Sequence, residues 1–151
     1  MFRQTITSEN PALNAALLNV STVLLGSPNA TDQKRIFVTP QATDFPEGAT
    51  GIVIHNVQVV CEDTIAASDT DYWTLQLKNL TTTEDLLAAA KTTKATGGTA
   101  ITKDVPWDMT PDQNNTLGAD EVIELDLTKA SSGADLNELS ATITWYWKIA
   151  L

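Results

Sequence analysis

Ser140-Ala-Thr-Ile-Thr-Trp-Tyr-Trp-Lys-Ile149 alternates without a slip. Ala141, Ile143, Trp145, Trp147 and Ile149 share one parity, and Ser140, Thr142, Thr144, Tyr146 and Lys148 the other. Successive side chains of a strand point to opposite faces, so this run reads as a strand with one buried and one wet face. Two tryptophans on the buried parity bring the largest apolar areas any side chain offers. The core is therefore expected to close around this strand.

Working outward, Tyr72-Trp-Thr-Leu-Gln-Leu-Lys78 alternates in the same way, with Trp73, Leu75 and Leu77 inward. Glu121 to Leu127 turns Ile123, Leu125 and Leu127 inward, and residues 52–62 (Ile-Val-Ile-His-Asn-Val-Gln-Val-Val-Cys-Glu) form a long apolar strand. Lys34 to Thr39 is a strand stopped by Pro40, and Thr99 to Val105 reads as a short one. Alternation favours antiparallel pairing, because buried parallel strands read as continuous apolar runs. Polar loops separate the strands, notably Asp63 to Asp71, Pro106 to Gly118 and Thr128 to Glu138. Residues 81–96 predict a helix: Thr81 with Glu84, or Thr82 with Asp85, gives a capping-box spacing, Leu86-Leu-Ala-Ala-Ala-Lys91 has high helix propensity, and Gly97-Gly98 ends it. Residues 10–26 carry Asn10 as N-cap, Pro11 and Gly26 at helix-boundary positions, yet Asn19 to Leu25 is rich in β-branched residues. A short helix passing into a strand is expected there. The fold class is mainly β: an antiparallel β-sandwich, jelly-roll-like, with one short helix insertion and a short N-terminal helix. Within a single domain, residues 1–30 form an N-terminal arm with the short helix or strand, and residues 31–151 the sandwich.

At 151 residues the chain is long enough to bury a core without disulfides or metal. Nineteen Asp and Glu against nine Lys and Arg give a formal net charge of −10. Such a chain is repelled by nucleic-acid phosphates and anionic membrane surfaces, and no basic cluster exceeds Lys34-Arg35. Neither nucleic acid nor membrane is an expected partner. Cys61, the sole cysteine, lies in the apolar run Val57 to Cys61 and reads as a small buried hydrophobe. No apolar run approaches the roughly 18–20 residues of a membrane span. Polar residues interrupt Ala12 to Leu25, so no signal peptide is expected.

Catalytic chemistry finds little to work with. His55, the sole histidine, sits among strand residues and reads as a structural or surface histidine. No nucleophile elbow, metal-binding histidine pair or phosphate-cradling glycine loop is present. Loop carboxylates are plentiful (Asp63, Asp69, Asp71, Asp108 and Asp112 among them), and they read as a solvated acidic rim ahead of a Ca²⁺ site, since Asp108 to Asp120 lacks the EF-hand glycine and distal glutamate. No catalytic residue, metal or cofactor is expected. Trp107, beside Pro106 and Met109 in a loop, has three readings: it caps the core, contacts a neighbouring subunit, or stacks on a sugar. Tyr146, outward between two tryptophans, is a second interface candidate.

The order of loop Ala66 to Asp71, strand Tyr72 to Lys78, insertion, Leu117-Gly-Ala-Asp-Glu-Val-Ile-Glu-Leu125 and a final alternating strand resembles small β-sandwich virion proteins of tailed phages. That group comprises head decoration (cement) proteins and fibre-base domains. The resemblance covers roughly residues 52–149 and carries over no functional residue. It implies a non-enzymatic protein of the capsid surface, made in the host cytoplasm, commonly trimeric, whose partners are the major capsid protein or other virion subunits. On that reading Phe2 and Arg3 of the arm, with Trp107, Met109 and Tyr146, are the candidate contacts. The rival reading is a carbohydrate-binding sandwich of a fibre or adhesin, which needs an exposed aromatic platform.

Overall fold

Strands dominate the computed structural model, which describes residues 18–130 and 134–150. In chain order they are β1 (Asn19–Gly26), β2 (Asp32–Val38), β3 (Ala49–Val60), β4 (Trp73–Asn79), β5 (Glu84–Asp85), β6 (Lys91–Thr92), β7 (Trp107–Asp108), β8 (Thr116–Leu117), β9 (Val122–Lys129) and β10 (Leu139–Ile149). A single 3-10 turn, Ala42–Asp44, is the only helical element among the described residues. Two antiparallel five-stranded sheets result. The first, sheet A, runs β1-β10-β3-β7, with β8 also on β3. The second, sheet B, runs β2-β9-β4-β5, with β6 also on β4.

The inner parity of each strand meets the other sheet, as alternation requires. Sheet A contributes Ile52, Ile54, Val57, Val59, Ala141, Ile143 and Trp145, and sheet B contributes Trp73, Leu75, Leu77, Ile123, Leu125 and Leu127; all are buried. Phe37, Trp145, Trp147 and Phe45 form a chain of tilted and edge-on rings, with centroids 5.8, 5.1 and 5.2 Å apart. Cys61 is fully buried, and its thiol donates to the Asn137 carbonyl at 3.2 Å.

Bulges set the inward parity where the sequence alone leaves it ambiguous. In residues 52–57 both Ile54 and Val57 point inward although three positions apart, because Thr144 pairs with Asn56 and Trp145 with Ile54. His55 is the extra residue of this bulge and is exposed. A second register shift between Arg35 and Phe37 sets Ile36 into the core in the same way.

The expected helix over 81–96 is absent. Residues 81–92 fold instead as a turn and two short strands against β4. Asn79 Oδ1 accepts the Thr81 and Thr82 N–H groups (3.0 and 3.3 Å), and Thr83 turns at φ 60°. The Leu86 N–H goes to the Leu77 carbonyl at 2.8 Å, and the Ala88 N–H to Asp112 Oδ1 at 2.7 Å. Backbone donors thus bond across the structure, not four residues back. Leu86 and Leu87 are both fully buried; packing of two adjacent leucines outweighs a propensity advantage of a few tenths of a kcal/mol per residue. Thr99 to Val105 likewise forms no strand, only the Ile65–Ile101 bridge. Asn19–Gly26 is strand β1 throughout, so the strand half of the N-terminal expectation stands; the helical half falls on residues outside those described.

Candidate interaction surface

Trp107 and Tyr146 both belong to sheet A, but on opposite faces. Trp107 pairs with the inward Val59, and its half-buried ring packs on the core while Nε1 donates to Thr99 Oγ1 at 3.2 Å. The neighbouring Met109 is fully buried and offers no surface. Tyr146 pairs with Val53 on the outer face, its ring 6.3 Å from that of His55. Phe2 and Arg3 lie outside the described residues. The structure therefore does not gather these candidates into one site.

The outer faces of the two sheets differ sharply in charge. On sheet B, Arg35, Glu124 and Lys78 stand side by side across three strands, with Asp126 in the next row. Lys78 pairs with Asp126 at 2.6 Å. The Lys78 ammonium is held above its ordinary range by the hydrogen bond to Asp126. On sheet A the corresponding block is uncharged. Its three rows are Val20–Thr144–Asn56, Thr22–Thr142–Gln58 and Leu24–Ser140–Val60. Thr22 and Thr142 are hydrogen-bonded through their hydroxyls at 3.2 Å. Val20 is 64 % and Leu24 81 % exposed, so this face leaves aliphatic surface in water. Charge returns only at its border, with Asp108 beside Gln58 and Lys148 at the end of β10.

Glu124 lines a depression of about 330 Å³ on sheet B together with Gln33, Lys78, Asn79, Leu80, Thr83 and Asp85. The residue is buried, and its Oε1 has no hydrogen-bond partner. Desolvation first, then repulsion from Asp126, raises its carboxyl above the ordinary 4.5, against the pull of Lys78 and Arg35. A raised acid favours the folded state below its unfolded value, and that advantage is lost as pH rises through the folded value. Glu124→Gln removes the charge that burial penalises and is therefore expected to be more stable than the parent at pH 7, by on the order of 1 kcal/mol. The difference should shrink as pH falls below the ordinary glutamate range. Thermal melts of both proteins across pH check this; a destabilised E124Q at pH 7 counts against it.

Most of the loop carboxylates serve local structure. Asp69 Oδ1 accepts the Thr96 N–H at 2.8 Å, Asp108 Oδ1 the Thr110 N–H at 2.8 Å, and Asp112 Oδ1 the Ala88 N–H. Asp63 accepts from the Asn137 amide. Hydrogen bonds from Thr96 hold the Asp69 carboxyl below its usual value, and those from Thr110 do the same for Asp108. Among the described residues no group of three or more His, Cys, Asp or Glu side chains is placed to hold a metal ion. Nor is any described helix long and apolar enough to cross a membrane.

Two antiparallel sheets packed face to face define a β-sandwich, and one solved structure shares it over the chain's length. No family model and no curated protein matches the sequence. The fold is similar to a chain of the cyanophage Pam1 capsid asymmetric unit, with a TM-score of 0.50 and 14 % sequence identity, over 97 % of this chain and 94 % of that one.

Proposed function

We propose that this protein is a non-enzymatic structural component of a phage virion: a head decoration (cement) protein that binds the assembled capsid and stabilises it. The observation that supports this reading is the fold shared with the cyanophage capsid chain over nearly the full length of both. Agreement end to end makes the whole sandwich the common unit. The mechanism is mass action. A protein that binds the assembled lattice and not its separated subunits stabilises the lattice by its own binding free energy. No bond is made or broken, so the surface needs shape and compatible charge and no reactive group.

Binding to heads that lack the protein tests the proposal, read by co-sedimentation and by the temperature at which the heads come apart. Saturable binding that raises this temperature is the expected result; absence of binding across a range of salt would overturn it. The N-terminal arm, with Phe2 and Arg3, is proposed to supply contacts. Deleting residues 1–9 is then expected to weaken binding to heads at least about tenfold, equivalent to about 1.4 kcal/mol. The circular dichroism spectrum and melting temperature should stay as they were. Undiminished binding by the deletion variant removes the arm from the contact.

A further inference from the structure

Lys78 stands beside Glu124 in register but gives its ammonium to Asp126. Glu124 Oε1 is left without a donor, although the residue is only 5 % exposed and lines the depression on sheet B. A buried carboxylate oxygen ordinarily takes hydrogen bonds, and its neighbours in the lining are committed elsewhere. The Asn79 amide accepts the Thr81 and Thr82 N–H groups and donates to Glu121, and the Thr83 hydroxyl donates to the Thr82 carbonyl. Gln33 completes the polar lining and is exposed. Asp85, in register with Lys78, adds a second carboxylate. Beside these groups the lining is aliphatic. Leu80 belongs to it and, through its N–H on the Val122 carbonyl, continues the pair Val38–Val122. Leu80 and Val38 both keep apolar surface in water.

We propose that this depression binds an alkylammonium ion, a primary amine on a short aliphatic chain, with Glu124 as the acceptor for its N–H groups. Charge selects the class. Asp126 neutralises Lys78, so Glu124 and Asp85 turn uncompensated negative charge toward the depression. Against them stands Arg35, the weaker of the two cations that act on Glu124. An anion is thereby disfavoured. A divalent metal ion needs several ligand oxygens at once, and among the described residues no group of three or more acidic, His or Cys side chains is placed to supply them. A volume of about 330 Å³ admits a chain of a few carbons. The last torsion of a glutamate is broad and two-fold, so either oxygen can turn to the ligand. The ammonium then supplies the donor that Oε1 lacks, and the carbon chain covers Leu80. A free alkylamine and a lysine side chain share this chemistry.

The test is titration of the purified full chain with n-butylammonium chloride at constant ionic strength, read by amide chemical shifts and by the rise in melting temperature. Saturable binding is expected, with the shifts centred on β4, β5 and β9. Glu124→Gln keeps the shape, removes the charge and should weaken binding at least about tenfold. Glu62→Gln makes the same change at an exposed residue beyond β3 and should leave binding unchanged, which controls for general attraction to a chain of net charge −10. Two comparisons need no variant. n-Butanol, similar in shape and uncharged, should not bind, and butylammonium should bind more tightly than methylammonium, by up to about fourfold for each methylene that covers Leu80. Titration that does not saturate, equal binding by E124Q and the parent, or displacement by equimolar Ca²⁺ overturns the proposal. Nα-acetyl-lysine amide, the same ammonium on a peptide backbone, identifies the source: if it binds too, the site takes lysine side chains, and if butylammonium alone binds, it takes free amines. No capsid is present in the titration, so its outcome is independent of the decoration role.

Discussion

Trp73→Ala is expected to lose about 3–5 kcal/mol of folding stability, the range for emptying a large aromatic site in a core. The indole is fully buried between the sheets, and its Nε1 donates to the Ala134 carbonyl at 2.7 Å. Lys129 Nζ lies 5.6 Å from the ring centroid, so a cation also caps the ring. Truncation leaves a cavity, a carbonyl without its donor and a lysine without its aromatic face. For a domain of this size the melting temperature should fall by roughly 10 °C. Trp73→Phe separates the contributions: it keeps most of the apolar area and forfeits the N–H, so its cost should be clearly smaller. Calorimetry of the three proteins decides. A cost below about 1 kcal/mol for Trp73→Ala would show that the site collapses without penalty.

Gly98→Ala is the second large effect. An added Cβ would run into the backbone carbonyls of both Thr92 and Lys94, the latter at 2.6 Å. The Thr92 oxygen is not free to retreat. The Thr92 carbonyl accepts the Thr99 N–H at 3.0 Å, and Thr92 Oγ1 binds the Trp73 carbonyl at 2.9 Å, tying β6 to β4. Relief must come from moving this segment off the sheet, at a cost of about 3 kcal/mol, the upper part of the overpacking range. Gly97 next door makes a control: its φ is +84° and nothing stands within 4 Å of an added Cβ. Gly97→Ala should therefore cost only the left-handed backbone penalty, about 1–2 kcal/mol. Urea unfolding of the two variants gives the order directly, and a costlier G97A would refute the close-packing argument.

The long strands were legible because each has a single buried face. Trp73-Leu75-Leu77 and Ile123-Leu125-Leu127 announce their parity by type alone, and the structure buries all six. The segment after β4 was misread for an equally physical reason. Local preference for Leu-Leu-Ala-Ala-Ala is worth tenths of a kcal/mol per residue, whereas Leu86 and Leu87 together fill the core from an irregular backbone. No pattern of period two or 3.6 records that. Bulges escape for a similar reason: the extra residue at His55 shifts parity without altering composition. The interaction surface was half legible. Ser140, Thr142, Thr144 and Tyr146 were readable as one outer face of β10, but whether its neighbours were charged depended on pairing. Only the register that sets Val20 beside Thr144 and Thr22 beside Thr142 shows the whole block to be neutral.

Strand order also fixes when the molecule can close. In sheet A the strand latest in the chain, β10, lies between two of the earliest, β1 and β3, which are not neighbours of each other. Until the ribosome has released residues 139–149, β1 has no partner in the sheet and β3 lacks its longest ladder. Nascent chains at that stage hold β1 unpaired and β3 paired only with the two-residue strands β7 and β8, the condition that invites pairing between chains. Completion of β10 is thus the event that closes sheet A, and it comes only after every other strand described has been made.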